Sequence, residues 1–560
     1  MTLFPRRAML AAVMALALAA CGSDEDKISD PLAFVPADSP YVLANRIPTP
    51  EAITKSWLEM YGTSLEEVYA DMASDPDLKA IEGEFGEWVR AAIPEMGKMG
   101  TLEGMQSIGL KSEARYAFYG QGLMPVYRIE LGDPAKFSEV VARIEGRAGK
   151  KLSTRKFDEF TMWQFANEKA TVLFGPINNY LVVTVAPAQA DEARLRMQLG
   201  LTLPESSMLT AKTLETLDGK HGYTGHLSGY VNIVALAQRL SGRNDADNQV
   251  ILAFGGEVPK LAPECAAELD SMTAKMPRLV FGTTTFEAKH MVVNSVFEME
   301  SALATSMQAL AAPIPGAASQ DSTLFRVAMS VNLPEAVRFL GGVADAIAAK
   351  PYACEEFKSL NTSAAELKQG LANPALAMAG SVTAVHLGLT SLELGGENEM
   401  PKALAGYVAV GSTTPLMLWG LMQTGAPLLA NVTLAPDSKV VPLPKDAAPM
   451  PFPLVLKAVM TDKSLGVATS DIEDNRFVAL ATVPAATDGT MLRYGVSGNF
   501  FKMLADQIPA APDGTDAQAA KEMERGRKML RQMGDRMADM DVRMRMSPAG
   551  MEFVQEMKLK

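Results

Sequence analysis

One short pattern recurs along this chain and constrains its fold more than any other feature: an apolar, strand-like run that ends in Asn and passes into an amphipathic helix. It reads Leu227-Ser228-Gly229-Tyr230-Val231-Asn232, followed by Ile233, Leu236, Ala237 and Leu240. It returns as Val327-Ala328-Met329-Ser330-Val331-Asn332, leading into Pro334, Val337, Leu340, Ala344 and Ile347. A third copy is Tyr494-Gly495-Val496-Ser497-Gly498-Asn499, leading into Phe500, Met503, Leu504 and Ile508, and a looser one is Tyr41-Val42-Leu43-Ala44-Asn45, with its helix starting near Pro50. In each, Asn stands where its side chain can accept from the free N–H groups of a first helical turn, and the apolar spacing lays one stripe along the helix.

Each start is followed by a second helix and then by a hairpin of alternating pattern, at 116–131, 278–300, 375–394 and 541–559. The first turns at Gly120-Gln121-Gly122 and the last at Ser547-Pro548-Ala549-Gly550, residue types that suit tight turns. The unit is therefore strand, helix, helix, hairpin, roughly 70 residues long. Longer inserts also correspond: Val172-Leu173-Phe174 and the strand-like 180–187 are echoed by Val467-Ala468-Thr469 and 477–484. Two similar halves are expected, 31–302 and 320–560, joined by a linker at 303–319 that contains Ala311-Ala312-Pro313-Ile314-Pro315-Gly316. The fold class is α+β, built of tandem-duplicated units whose antiparallel sheets carry helices packed on one face.

The first seven residues hold Arg6 and Arg7 and no acid, and the unbroken apolar run at 8–20 is too short to span a bilayer. That combination reads as an export signal. The run closes on Leu18-Ala19-Ala20-Cys21-Gly22, which resembles the lipobox of bacterial prolipoproteins. The resemblance implies cleavage before Cys21, a thioether-linked diacylglycerol on that thiol and an acylated amino group. Several acyl chains, at about 0.8 kcal/mol per buried methylene, make such an attachment effectively permanent. The other reading is a plain secretory signal with a cysteine at its cleavage site. Phe4-Pro5 and Ala8-Met9 around the arginine pair fit the twin-arginine export motif poorly, so Sec export is expected. Residues 1–20 are then the signal peptide and 21–30 a polar, lipidated tether. An Asp after the lipidated Cys favours inner-membrane retention in enteric bacteria. Gly22 stands there, so the expectation is attachment to the outer membrane, facing the periplasm.

Loss of residues 1–20 removes two arginines and no acid, leaving 50 basic against 65 acidic residues, a net charge of −15. This argues against nucleic acid as a partner, since phosphate neutralisation needs a basic surface. With 48% hydrophobic but only 7% aromatic residues, the core must be mostly aliphatic, with methionine contributing from an unusual total of 35. The most apolar later stretch, 415–422, is cut short by Gln423, Gly425 and Pro427, so no second membrane anchor is expected. In an oxidising compartment Cys265 and Cys354 should form a disulfide. Both would open the second helix of their units, in Pro263-Glu264-Cys265 and Pro351-Tyr352-Ala353-Cys354, so the bond would join the halves. A redox pair is the other reading, against which stands the lack of a CxxC partner.

The body is bare of catalytic signatures. His221, His226, His290 and His386 are the only histidines and show no metal-ligand spacing, so no metal or cofactor is expected. Ser153-Thr154-Arg155-Lys156 matches the SxxK pattern of penicillin-recognising enzymes, but without that family's other motifs. The C-terminal methionines (Met523, Met529, Met533, Met537, Met540, Met544, Met546, Met551 and Met557) follow helical and then strand spacing. That suits core packing, or a deformable groove for apolar ligands; a Cu(I) cluster is the third reading. The stretch from Asp30 to Asn45, Asp-Pro-Leu-Ala-Phe-Val-Pro-Ala-Asp-Ser-Pro-Tyr-Val-Leu-Ala-Asn, resembles the opening of uncharacterised proteobacterial lipoproteins and of DUF3352-type envelope proteins. Asn373-Pro374-Ala375-Leu376-Ala377-Met378-Ala379-Gly380 is similar to another segment of the same lipoproteins. The resemblance transfers no activity. The expected function is that of a non-catalytic envelope lipoprotein, held to the membrane by lipid on Cys21 and binding a hydrophobic ligand or a partner protein. The alternative is a cell-envelope hydrolase whose active site has no recognisable motif.

Overall fold

The structure is a computed structural model that describes residues 30–72, 78, 80–81, 83–317, 323–374, 376, 380–393, 402–445, 447, 454–508 and 516–560. The signal segment, Cys21 and the tether up to residue 29 lie outside the described residues. The chain divides into two compact units, Met1–Val293 and Asn294–Lys560. Each combines helices with an antiparallel sheet, so the fold class is α+β.

In the first unit the strands are β1 (Tyr41–Ala44), β2 (Tyr116–Gln121), β3 (Met124–Glu130), β4 (Ser153–Phe157), β5 (Phe160–Ala166), β6 (Ala170–Ile177), β7 (Tyr180–Pro187), β8 (Ser228–Asn232) and β9 (Arg278–Phe286). They pair in the order β9-β8-β1-β2-β3-β7-β6-β5-β4, every pair antiparallel. A further strand, β10 (His290–Glu298), runs across the division between the units. The β2–β3 hairpin turns between Gln121 and Met124, where Gly122 takes a positive φ of 61°. Helices α1 (Glu51–Met72), α2 (Gly83–Gly97) and α3 (Pro134–Ala148) supply Leu58, Ala92, Val140 and Ile144 to one core cluster, with Tyr116, Tyr127, Ile129 and Leu181 from the sheet. The start of α3 is fixed by Asp133, whose carboxylate accepts from the N–H groups of Ala135 and Lys136, and its end by Gly149 at φ 68°. Between β8 and β9 stand α4 (Ile233–Leu240), the helix Asp245–Ala253 and α5 (Pro263–Thr273).

The second unit contains β11 (Phe325–Ser330), β12 (Val382–Glu393), β13 (Ala403–Ser412), the two-residue β14 (Val441–Pro442), β15 (Leu456–Met460), β16 (Ser464–Thr469), β17 (Thr490–Ser497), β18 (Met537–Ser547) and β19 (Gly550–Leu559). Their order is β19-β18-β17-β11-β12-β13-β16-β15-β14, again antiparallel throughout. The helices named here are α6 (Leu333–Ala349), α7 (Lys358–Leu371), α8 (Pro415–Gly425), α9 (Asp474–Ala481), α10 (Gly498–Gln507) and α11 (Ala517–Arg536).

Four readings of the sequence change. Residues 375–394 are not a hairpin: 382–393 form one long strand whose partner is β13, beyond the expected turn. The stretch 477–484 is not a strand: Phe477, Leu480 and Ala481 are buried at i, i+3 and i+4, the spacing of a helix face, and α9 packs them on Tyr407, Val459 and Ala468. The expected linker at 303–319 is not an exposed connector. It begins inside the helix Ser301–Gln308, and Leu310, Ala311, Ala312 and Ile314 are buried, Ile314 packing on Ala328 and Ala384. Finally, Asn caps a helix at only two of the four repeats. Asn232 accepts from Ala235 N–H and Asn332 from Glu335 N–H, whereas Asn499 lies inside α10, behind Ser497 at its N-cap. Asn45 is fully buried, accepting from Tyr116 N–H at 2.6 Å and donating to Ala114 O at 3.1 Å, so it ties β1 to its neighbour.

Candidate functional site

Side chains alternate between the faces of a strand, and directly opposed residues of an antiparallel pair share a face. In the second unit the registers therefore define three apolar rows. One runs Leu492, Met329, Val385, Val410 across β17, β11, β12 and β13, and the next runs Tyr494, Val327, Leu387, Val408. The third is Val496, Phe325, Leu389, Gly406. All three continue onto the C-terminal hairpin, as Met544 and Phe553, Val542 and Gln555, and Met540 and Met557. Across six adjacent strands, the only polar groups in these three rows are the Tyr494 phenol and the Gln555 amide.

That face is closed at one end and open at the other. At the closed end Val496 and Met557 are buried, and Phe325 stacks on Phe500 of α10 with ring centroids 5.8 Å apart. At the open end Met329 is 61% exposed and Val385 41%, with Leu387, Val408 and Leu492 also exposed. The helices that follow β11 do not fill the space: α6 buries only Ala344 and α7 only Ala364, and Leu340, Val343 and Leu360 on them remain exposed. The first unit differs. Its row Leu43, Phe118, Tyr127, Val183 is packed into a core with Leu58, Trp88, Phe137 and Ile144 from α1, α2 and α3.

The opposite face of the second sheet is buried and polar in places. Arg326 on β11 donates from Nη2 to Asp539 Oδ2 at 2.7 Å and to Asp541 Oδ2 at 2.8 Å. Arg493 on β17 donates to the same Asp541 oxygen at 2.8 Å and to Ala317 O at 3.3 Å. Burial alone would lower the affinity of Arg326 for its proton and raise that of Asp541, but the ion pairs outweigh it. Arg326 is held above, and Asp541 below, its ordinary value. The cluster clamps β11, β17 and β18 together with all its charges paired. On the same face His386 is buried, with Nδ1 2.8 Å from Pro315 O and Nε2 3.0 Å from Tyr407 Oη. A carbonyl only accepts, so Nδ1 carries a proton there, and Nε2 shares a second hydrogen bond with the tyrosine hydroxyl, so both ring nitrogens are engaged.

Apart from three of the C-terminal methionines, the other residues singled out in the sequence are not part of these rows. Cys265 lies at the start of α5, and Cys354 precedes the short turn Glu355–Phe357 that leads into α7. Both are buried and disulfide-bonded. His221 ends the helix Thr213–His221 and stacks on Tyr223, His226 places Nδ1 3.2 Å from Ile47 O, and His290 begins β10. Ser153 and Lys156 are both exposed on β4, three positions apart and hence on opposite faces, an arrangement that separates a serine from a lysine base. The methionines divide: Met523, Met529 and Met533 lie on α11, Met537 and Met546 are buried, and Met540, Met544 and Met557 join the apolar rows. The sequence showed a strand-like run at 327–332 and an alternating pattern across 375–394, but not that the helix pair after β11 would leave that face open.

Among the described residues no helix is long and apolar enough to cross a membrane. No protein-family model matches the chain, and neither a curated protein nor a solved structure does.

Proposed function

We propose that the protein is a non-catalytic envelope lipoprotein, anchored through Cys21 to the periplasmic face of the outer membrane, whose second unit holds an apolar ligand on its open sheet face. The observation that carries the reading is the set of uninterrupted rows from Leu492 to Val410 and from Tyr494 to Val408, exposed at one end of a sheet whose other end is packed. β11, β12, β13 and β17 are each hydrogen-bonded on both sides, so an occupant of this face cannot join as an added strand and is held by side-chain contact. Met329, Met540 and Met544 give that surface unbranched, polarisable side chains that adapt to varied aliphatic shapes. Covering Met329, Val385, Leu387, Val408 and Leu492 at about 1 kcal/mol each contributes about 5 kcal/mol, a dissociation constant of roughly 0.2 mM from this patch alone.

A duplicated architecture belongs to the same reading. What supports it is the strand order: β9-β8-β1-β2-β3-β7-β6-β5 in one unit runs parallel, strand for strand, to β18-β17-β11-β12-β13-β16-β15-β14 in the other. On this alignment β1 and β11 correspond, each followed by a helical segment and then by a pair of adjacent antiparallel strands. One copy has filled its helix-covered face with aromatics, and the other keeps it open.

The ligand reading is tested with a fluorescent aliphatic probe. The purified protein should bind it, and the double substitution Val385→Asn, Leu387→Asn should weaken binding about tenfold without lowering stability, because both side chains are exposed. Leu240→Asn on α4 should leave binding unchanged. A wild-type protein that does not take up the probe, or a double variant that binds as well as wild type, sinks the reading.

A further inference from the structure

Residues 403–436 contain no Asp, Glu, Lys, Arg or His, in a chain that is 21% charged by its Asp, Glu, Lys and Arg. The C-terminal two thirds of this run form a small element: α8, then the short turn Pro427–Leu429 and the segment up to Leu434. One side of α8 belongs to the core, where Leu418, Trp419 and Met422 pack with Leu429, Val432 and Leu434. The other side is as apolar and is uncovered. Leu416 is 60% exposed, Met417 49% and Leu421 57%, and Leu428 on the adjoining turn is 56% exposed. At about 100° per residue, Leu416, Gly420, Thr424, Met417 and Leu421 fall in one sector of about 140°, away from Trp419 and Met422.

Several polar groups of this element bond within it. Trp419 Nε1 donates to Val432 O at 3.2 Å, and Gln423 Nε2 donates to both Leu429 O and Val432 O at 3.0 Å. The N–H groups of Ala426, Leu429, Ala430 and Val432 donate to Met422, Ala426, Pro427 and Leu429 carbonyls. Thr424 returns its hydroxyl to Gly420 O at 2.9 Å. A segment that leaves water keeps its backbone bonds only if they are internal, as these are.

We infer that α8 and the Pro427–Leu429 turn form an uncharged, interfacial membrane-contact element that seats Leu416, Met417, Leu421 and Leu428 at the acyl boundary of a bilayer. Area separates this from a second copy of the chain: four side chains of this size expose on the order of 400 Å², about half of the ~800 Å² per partner that a stable dimer buries. Charge separates it from lipid-headgroup recognition: with no Lys or Arg in the element, contact does not depend on anionic lipid. At 11 residues α8 is too short to span and so lies along the interface. The inference does not rest on the ligand face or on Cys21.

The full chain is mixed with phosphatidylcholine vesicles after a polarity-sensitive fluorescent amino acid has replaced Leu421, with the same replacement at exposed Leu240 as the reference. Nitroxide carried on the lipid tails should quench the probe at 421 at least about fivefold more than at 240. Neither added anionic lipid nor raised salt should change that ratio. With the probe moved to Met417, the triple variant Leu416→Asn, Leu421→Asn, Leu428→Asn should bring quenching down to the reference level. Equal quenching at 421 and 240 overturns the inference, as does quenching at 417 that survives in the triple variant. Shielding of 421 from aqueous iodide that grows with protein concentration and ignores the lipid nitroxide also overturns it, and assigns the patch to a second copy.

Discussion

Glu95 shows how much a single buried acid can tie together. It lies in α2, almost wholly buried, and accepts from Arg143 Nη2 at 3.0 Å and Arg147 Nη2 at 2.9 Å, both on α3, and from Lys98 Nζ at 2.7 Å. Burial alone would raise its pKa, but the three hydrogen-bonded cations outweigh that and lower it from 4.5 to about 2. A depressed acid contributes stability that is fully present above about 4.5 and is lost as pH falls towards 2. We therefore expect Glu95→Gln to cost about 2 kcal/mol at neutral pH, once the partial exposure of the cations is discounted. In urea melts from pH 7 to 2 the gap between wild type and variant should close below about pH 4.5; a gap that is constant with pH would remove the ion cluster from the account. Legibility at this scale was mixed. Asn232 and Asn332 cap helices as their positions suggested, but Asn45, in the same pattern, bonds across to Ala114 and Tyr116, a partnership set some 70 residues away.

Elements were legible wherever one face alone was buried. The β18–β19 hairpin turns between Ser547 and Gly550, as its Pro-Ala-Gly sequence suggests, and 384–388 alternates buried and exposed residue by residue. Legibility failed where both readings were apolar. Phe477-Val478-Ala479-Leu480-Ala481 suits a strand by composition, and only packing on Tyr407 and Val459 makes it helical. The pair α6 and α7 has the reverse character: strong helical spacing and little burial, Ala344 and Ala364 alone being buried. Helices held by so little apolar contact open locally at low cost. Amide exchange should therefore be complete in α6 and α7 at least about tenfold sooner than in β11 and β12, between which they stand in sequence. Equal protection in helices and strands would mean that something else holds the pair down.

At the scale of the molecule, the two readings that began at cysteines converge on one measurement. Cys265 and Cys354 are both buried and disulfide-bonded, and we expect each to be the other's partner. Such a bond would contribute about 4 to 5 kcal/mol in the chain-entropy model. Digestion of the unreduced protein, followed by mass spectrometry, should give a linked peptide pair containing these two residues and an N-terminal peptide beginning at Cys21 with the mass of its acyl chains. Unlinked 265 and 354 peptides would sink the first expectation, and an unmodified or uncleaved N-terminus the second. The sequence made such pairing arguable because these are the two cysteines left beside Cys21 in a chain read as exported, but the order of strands was beyond it, since order depends on partners far apart in the chain. That order has a consequence in time. Tyr41 in β1 pairs with Val231 in β8, roughly 190 residues later, and Met329 in β11 waits for Leu492. The strand made first in each unit is therefore central in its sheet, with one flank unfinished until most of the unit has been synthesised. Pairings this distant fold slowly and leave strand edges exposed meanwhile. A chain delivered from its N-terminus would emerge with its central strand half-paired, and its dependence on holding factors during delivery would be greatest just before β8 and β17 arrive.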